Sequence, residues 1–149
     1  MNKRIAAATA VLLFALSSAA SGVDDARELV KLPPMMREHM LGNMRDHLMT
    51  LDQILDAVAE AKFDDAAKLA EARLGMSSLS SHDAAHMAPF MPKPMQDMGT
   101  AMHRAASRLV IVLQDASVTP NAEALHKVAG SLHDVTTACT SCHAAYRLQ

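Results

Sequence analysis

The sequence contains no tryptophan, one tyrosine and three phenylalanines, and only five of its 149 residues are glycine. Sandwiches and barrels draw on aromatic and β-branched strands punctuated by glycine turns, so this composition argues against an all-β fold. Basic charge is not in excess: 14 Lys and Arg stand against 16 Asp and Glu, a formal net charge of −2 with a pI near 6.4. The chain therefore lacks the electrostatic footprint of a nucleic-acid binder. Like charges do not run in blocks and only 20% of residues are charged, which argues against disorder. Half of the residues are hydrophobic, enough for a real core, and alanine, leucine and methionine favour helices. The length fits one domain.

The first twenty residues read as a processing signal. Asn2-Lys3-Arg4 is a short basic region, and Ile5 to Leu16 is an apolar run too short to span a bilayer. Ser18-Ala19-Ala20 offers small residues for cleavage after Ala20. The alternative is an uncleaved membrane anchor. Cleavage implies a mature domain of residues 21–149 with no stable membrane insertion, working in a bacterial periplasm. In such an oxidising compartment a cysteine pair can form a disulfide or tether a cofactor.

Four amphipathic segments follow. The first opens at Pro33-Pro34, where proline suits the first helical turn, and runs to about Ala61. Its apolar seam is Leu41, Met44, Leu48, Leu51, Leu55 and Val58, at spacings of 3, 4, 3, 4 and 3. The second spans about Asp64 to Leu74 and turns Ala66, Ala67, Ala70 and Leu74 inward, with Gly75 as its stop. Met76 to Pro94 carries three prolines and cannot be one helix. The third helix runs from near Pro94 to near Ala116, with Met95, Met98, Met102, Ala105, Leu109 and Val112 as its seam. Thr119-Pro120 opens the fourth as cap and first residue. That helix has its seam at Leu125, Val128, Leu132, Val135, Cys139 and Cys142. The expected architecture is all-α, an antiparallel four-helix bundle. Up-down topology then places the end of the fourth helix beside the starts of the first and third.

Both cysteines fall in Cys139-Thr140-Ser141-Cys142-His143, the C-x-x-C-H pattern of c-type haem attachment. Residues i and i+3 share a helix face, so both thiols can form thioethers to the two haem vinyl groups. His143 then offers its imidazole to the iron as proximal ligand. Three other readings compete. A thioredoxin-like redox pair needs a βαβ context that is absent. A zinc site needs further ligands at suitable spacing, and there is no other cysteine. A plain structural disulfide gives no reason for the adjacent histidine.

With its flanking Ala144-Ala145-Tyr146-Arg147, this segment resembles the C-terminal end of class II c-type cytochromes, the cytochrome c′ and cytochrome c-556 group. Arg37, Leu41, Met44 and Leu48 are similar to the arginine and the apolar distal-face residues of that family's first helix. Pro89-Phe90-Met91-Pro92 resembles the turn before its third helix. The resemblance implies a four-helix bundle, one covalent haem c near the end of the fourth helix, and periplasmic or membrane-bound redox partner proteins. Members often pair through their first two helices, so a homodimer is also implied.

The sixth ligand separates the functions that the resemblance allows. Methionine over the distal iron makes a six-coordinate electron carrier; an apolar residue there makes a five-coordinate binder of nitric oxide and other small gases. An ungapped match puts Leu41 near the distal position. Met40 adjoins it and Met44 is one turn away, and a flexible thioether is a good iron ligand that raises the potential. Met44 lies on the seam and is favoured, with Met40 next; Met98 and Met102 are outside candidates. His39 and His47 read as edge residues, exposed or packed.

Twelve methionines and eight histidines raise one more possibility. His82 and His86, with Met87, Met91, Met95, Met98 and Met102, make segment 82–102 a soft-ligand stretch that could hold copper. Arg37 and Arg147 are positioned to pair with anionic haem propionates. No constellation of catalytic acid, base or nucleophile is present. The expectation is a one-electron carrier rather than an enzyme, with gas binding and copper handling as the alternatives.

Overall fold

The computed structural model describes residues 24–149, and the expected leader, 1–20, lies outside them. Strand β1 (Glu28–Val30) leads into helix α1 (Pro34–Ala59), with Pro33 at its cap position and Pro34 in its first turn. A fixed proline φ and a missing N–H cost nothing there. Helix α2 (Phe63–Leu69) carries Asp64 and Asp65 in its first turn and Lys68 in its last, matching the dipole at both ends. It continues as a π-helical turn, Ala70–Leu74. Gly75 ends that turn in extended backbone, so its role is not a left-handed stop; a Cβ there would lie 2.9 Å from the Glu71 Cα.

The proline-rich stretch breaks into short pieces: a 3-10 turn at Met76–Leu79, helix α3 (Ala84–Met87) and a second 3-10 turn at Ala88–Phe90. Helix α4 (Lys93–Val118) follows, then α5 (Ala122–Ala145), then strand β2 (Tyr146–Leu148). Asn121, not Thr119, caps α5: its side chain accepts a 2.8 Å bond from the Ala124 N–H, so Pro120 stays outside the helix. The described residues are thus overwhelmingly helical, and no helix among them is long and apolar enough to cross a membrane.

The core is drawn from α1, α2 with its π turn, α4 and α5. Ile54, Leu109, Leu113, Val128 and Val135 are its large members, wedged among Ala66, Ala70, Ala106 and Ala116, which are fully buried. The seam of α5 lies inward as expected at Val128, Leu132 and Val135, while Leu125 is exposed and Ala124 packs in its place. On α4 Met102, Ala105 and Leu109 lie inward as expected, but past Leu109 the buried residue is Leu113, and the expected Val112 is half-buried.

Helix α1 departs most from its expected seam. Leu48 is 70% exposed and Leu55 48% exposed, whereas Thr50, Ile54 and Ala57 are buried. The inward face is turned by about one residue, because α1 packs mainly on α2 and the π turn and needs one narrow stripe to do so. Leu48 and Leu55 instead form a shallow outer depression with Met49 and Leu51.

Strands β1 and β2 pair in parallel, Glu28 opposite Tyr146 and Val30 opposite Leu148. The residues before the first helix are thereby clasped to those after the last. Runs of three residues carry no readable alternation, so sequence periodicity gave no sign of this pair.

Candidate functional site

The starts of α1 and α4, the end of α5, the segment 79–91 and β2 enclose a cavity of about 540 Å³, within the range of small-molecule sites. These are the helix ends that up-down topology was expected to gather. Cys142 and His143 line the cavity from α5. Cys139, one turn earlier, is half-buried and packs against the core rather than lining the space. Both cysteines are free thiols, and burial pushes both up from the ordinary thiol value, Cys139 adding to the rise at Cys142. A redox C-x-x-C pair works the other way, through a depressed thiolate, so these thiols do not match that chemistry.

The first helix supplies Met40, Leu41 and Met44 to the cavity, so all three distal candidates reach it. Among the outside candidates Met102 lines it and Met98 does not. Arginines gather at the clasp: Arg27, Arg37 and Arg147 all line the space. The Arg27 guanidinium donates to the His143 carbonyl at 3.3 Å and pairs with Asp25 at 2.7 Å. That ion pair holds the Asp25 carboxyl down at about 2. Arg37 donates to the Gln149 carbonyl. Arg147 Nε is buried without a hydrogen bond, its nearest anion being Asp25 at 3.5 Å. The Arg147 guanidinium is thus held only by a long ion pair to Asp25, and a carboxylate entering the cavity could give its Nε–H a closer acceptor.

Three histidines converge on the same cavity. The His47 and His82 rings lie 4.6 Å apart between centroids, His82 and His103 5.3 Å, and His47 and His103 5.7 Å. Helix α1 presents His47 one turn beyond Met44. The His82 backbone is stapled to α1 by His39 Nε2 and the Asn43 amide, which meet its carbonyl at 3.1 and 3.2 Å. His103 is buried on α4, with Nδ1 2.7 Å from the Leu74 carbonyl. Desolvation pushes the His47 imidazole down to about 4, reinforced by repulsion from His82 and His103; burial lowers His82 and His103 too. Burial thus disfavours the charged form of all three rings.

Sequence reasoning identified the Cys139–His143 motif, the methionines and Arg37 and Arg147, and the fold brings Cys142, His143, Met40, Met44 and both arginines together. His86 is exposed and stays out of the histidine group, so of the two histidines in the soft-ligand stretch only His82 joins it, beside His47 and His103. His103 escaped notice although it sits directly beside the seam residue Met102; that adjacency was the available signal. Compared with protein families, curated proteins and solved structures, the chain finds no match.

Proposed function

We propose that this chain is a periplasmic monohaem c-type cytochrome of the class II kind, a four-helix bundle that carries one electron. The observation behind the reading is that Cys142 and His143 of the attachment motif open onto the same cavity as Met40, Met44 and three arginines. The residues suit a haem. Cys139 and Cys142 would hold it by thioethers, and His143 would ligate its iron. Arg147, with its unsatisfied Nε, and Arg37 would take the propionates. When bound, the haem supplies a one-electron couple, and the protein tunes it.

The chain's own residues set the terms of that couple. The apolar part of the cavity wall, Met40, Leu41, Met44, Met87 and Met102, would favour the less charged oxidation state of a bound haem. The Arg27 bond to the His143 carbonyl tethers the last turn of α5, from which His143 would ligate the iron. Met44 is the favoured sixth ligand, one turn from Met40 on the same face, and a thioether raises the potential. Leu41 in the same wall supports the second reading, a five-coordinate gas binder.

Two measurements test this. Mass spectrometry of the denatured chain, expressed with a haem-maturation system, should show one added haem; a bare polypeptide mass would overturn the reading. The oxidised protein should show the weak near-infrared band of His/Met haem and react slowly with carbon monoxide. A high-spin spectrum with ready gas binding would replace electron transfer by the Leu41 reading.

A further inference from the structure

The three histidines are a separate opportunity from the attachment motif. One ring nitrogen from each of His47, His82 and His103 lies within 4.8 Å of the other two. Around zinc, Zn–N distances near 2.0–2.1 Å put tetrahedral ligand nitrogens roughly 3.3 Å apart. The widest pair here needs to close by no more than about 1.5 Å, within the reach of small χ rotations. His47 Nε2 is buried with no hydrogen-bond partner, an imidazole nitrogen left with nothing to bind.

The surrounding bonds select the metal-binding tautomer. Ser78 donates its hydroxyl hydrogen to the Gly75 carbonyl at 2.7 Å, so its oxygen is left to accept. It lies 3.4 Å from His82 Nδ1 and 3.3 Å from His103 Nδ1. His103 Nδ1 also meets the Leu74 carbonyl, which can only accept, so that nitrogen carries the proton. With the His103 Nδ1–H committed to the Leu74 carbonyl, the Nε2 lone pair of His103 is free to ligate. Outer oxygens holding the far nitrogen are the usual support of a histidine–metal site.

We propose that His47, His82 and His103 form a second metal site that takes a divalent ion of the zinc and copper class. Three imidazoles suit that class, and among the described residues neither a carboxylate nor a thiolate joins the group. The rings line the same cavity that would hold the haem, so the site uses none of Cys139, Cys142 or His143 but borders the group they would bind. In the haem-free chain a water or a small anion completes the shell from the cavity side.

The test is zinc titration of the full mature chain, with the haem it carries, followed by calorimetry and metal analysis of the dialysed protein. One equivalent should bind, with the haem absorption spectrum followed in parallel because the three histidines line the same cavity. His103→Gln and His82→Gln should each weaken binding at least about 100-fold, since each removes a ligand. Ser78→Ala, which keeps all three ligands, should weaken it roughly 10-fold through the lost support. The exposed His86→Ala should leave binding intact. Added copper(II) should give an electron paramagnetic resonance signal split by three nitrogens. Zinc affinity unmoved by His103→Gln in a chain of unchanged helicity, or lost in His86→Ala, overturns the site. So does a wild-type spectrum of bis-histidine haem that His47→Gln abolishes, because the group would then serve the iron. A chain without covalent haem that still binds one zinc would sink the cytochrome reading alone.

Discussion

The two ends of the helical body are built from different materials. One is filled by Ile54, Leu109, Leu113 and Val128 among fully buried alanines. Short side chains let helices approach closely, and these core side chains carry no polar group to satisfy. At the other end the same helices α1, α4 and α5 carry methionine, histidine and arginine instead, and a cavity of about 540 Å³ lies between them. Long flexible or partly polar side chains do not close-pack, so helices spaced by them leave room. Stability is thus concentrated at one end and chemistry at the other, within single continuous helices.

Changes at each end should break the protein in different ways. Replacing Cys139 and Cys142 by alanine should abolish covalent haem while leaving most helicity, because neither belongs to the buried core; a haem band retained on a denaturing gel would contradict this. Leu113→Ala, in the dry end, should cost about 2–5 kcal/mol on denaturant unfolding with haem chemistry unchanged in the folded fraction. Met44→Ala should leave stability within about 1–2 kcal/mol, since it faces a cavity already open. It should nonetheless remove the near-infrared band and lower the reduction potential, measured by spectroelectrochemistry. The smallest effect concerns the seam between the two ends. Glu71 accepts from Ser107 Oγ at 2.7 Å and from the Ser77 N–H at 3.1 Å, and these bonds hold its carboxyl below the usual value. The unfolded chain therefore takes up this proton first as pH falls. Its contribution is full above the ordinary carboxylate range and fades through it toward lower pH. Glu71→Gln should flatten that part of the stability–pH curve, read by thermal melts from pH 6 to pH 3.

The sequence disclosed the dry end and the attachment motif more readily than the cavity wall. Val128, Leu132 and Val135 on α5 could be placed by period alone, because a helix packed along one side has one consistent stripe. Helix α1 defeated the same reasoning at Leu48 and Leu55. Its inner face includes His47 and Thr50, polar residues that a hydrophobic pattern assigns to water. The gathering of His47, His82 and His103 depends on three separated segments and leaves no local periodicity to read. Only the spacing of Cys139, Cys142 and His143 states its chemistry within five residues.

The parallel pair of β1 and β2 also sets an order of assembly. Arg27 and His143, which meet at this clasp, are 116 residues apart. Closing so long a loop costs more entropy than any neighbouring helix contact, so the clasp is expected to form after the helices have docked. Until then Cys142, at the end of α5, lies beside an unclosed clasp, while Cys139 is already packed against the helical core. Once Tyr146–Leu148 aligns with Glu28–Val30, the approach to Cys142 is narrowed. Pulsed hydrogen exchange should find the β2 amides protected last, and deleting residues 21–30 should leave Cys142 open to alkylating reagents in the folded chain. The pairing of β1 with β2 would then be the last step of folding, and the cavity beside it the last part of the molecule to close.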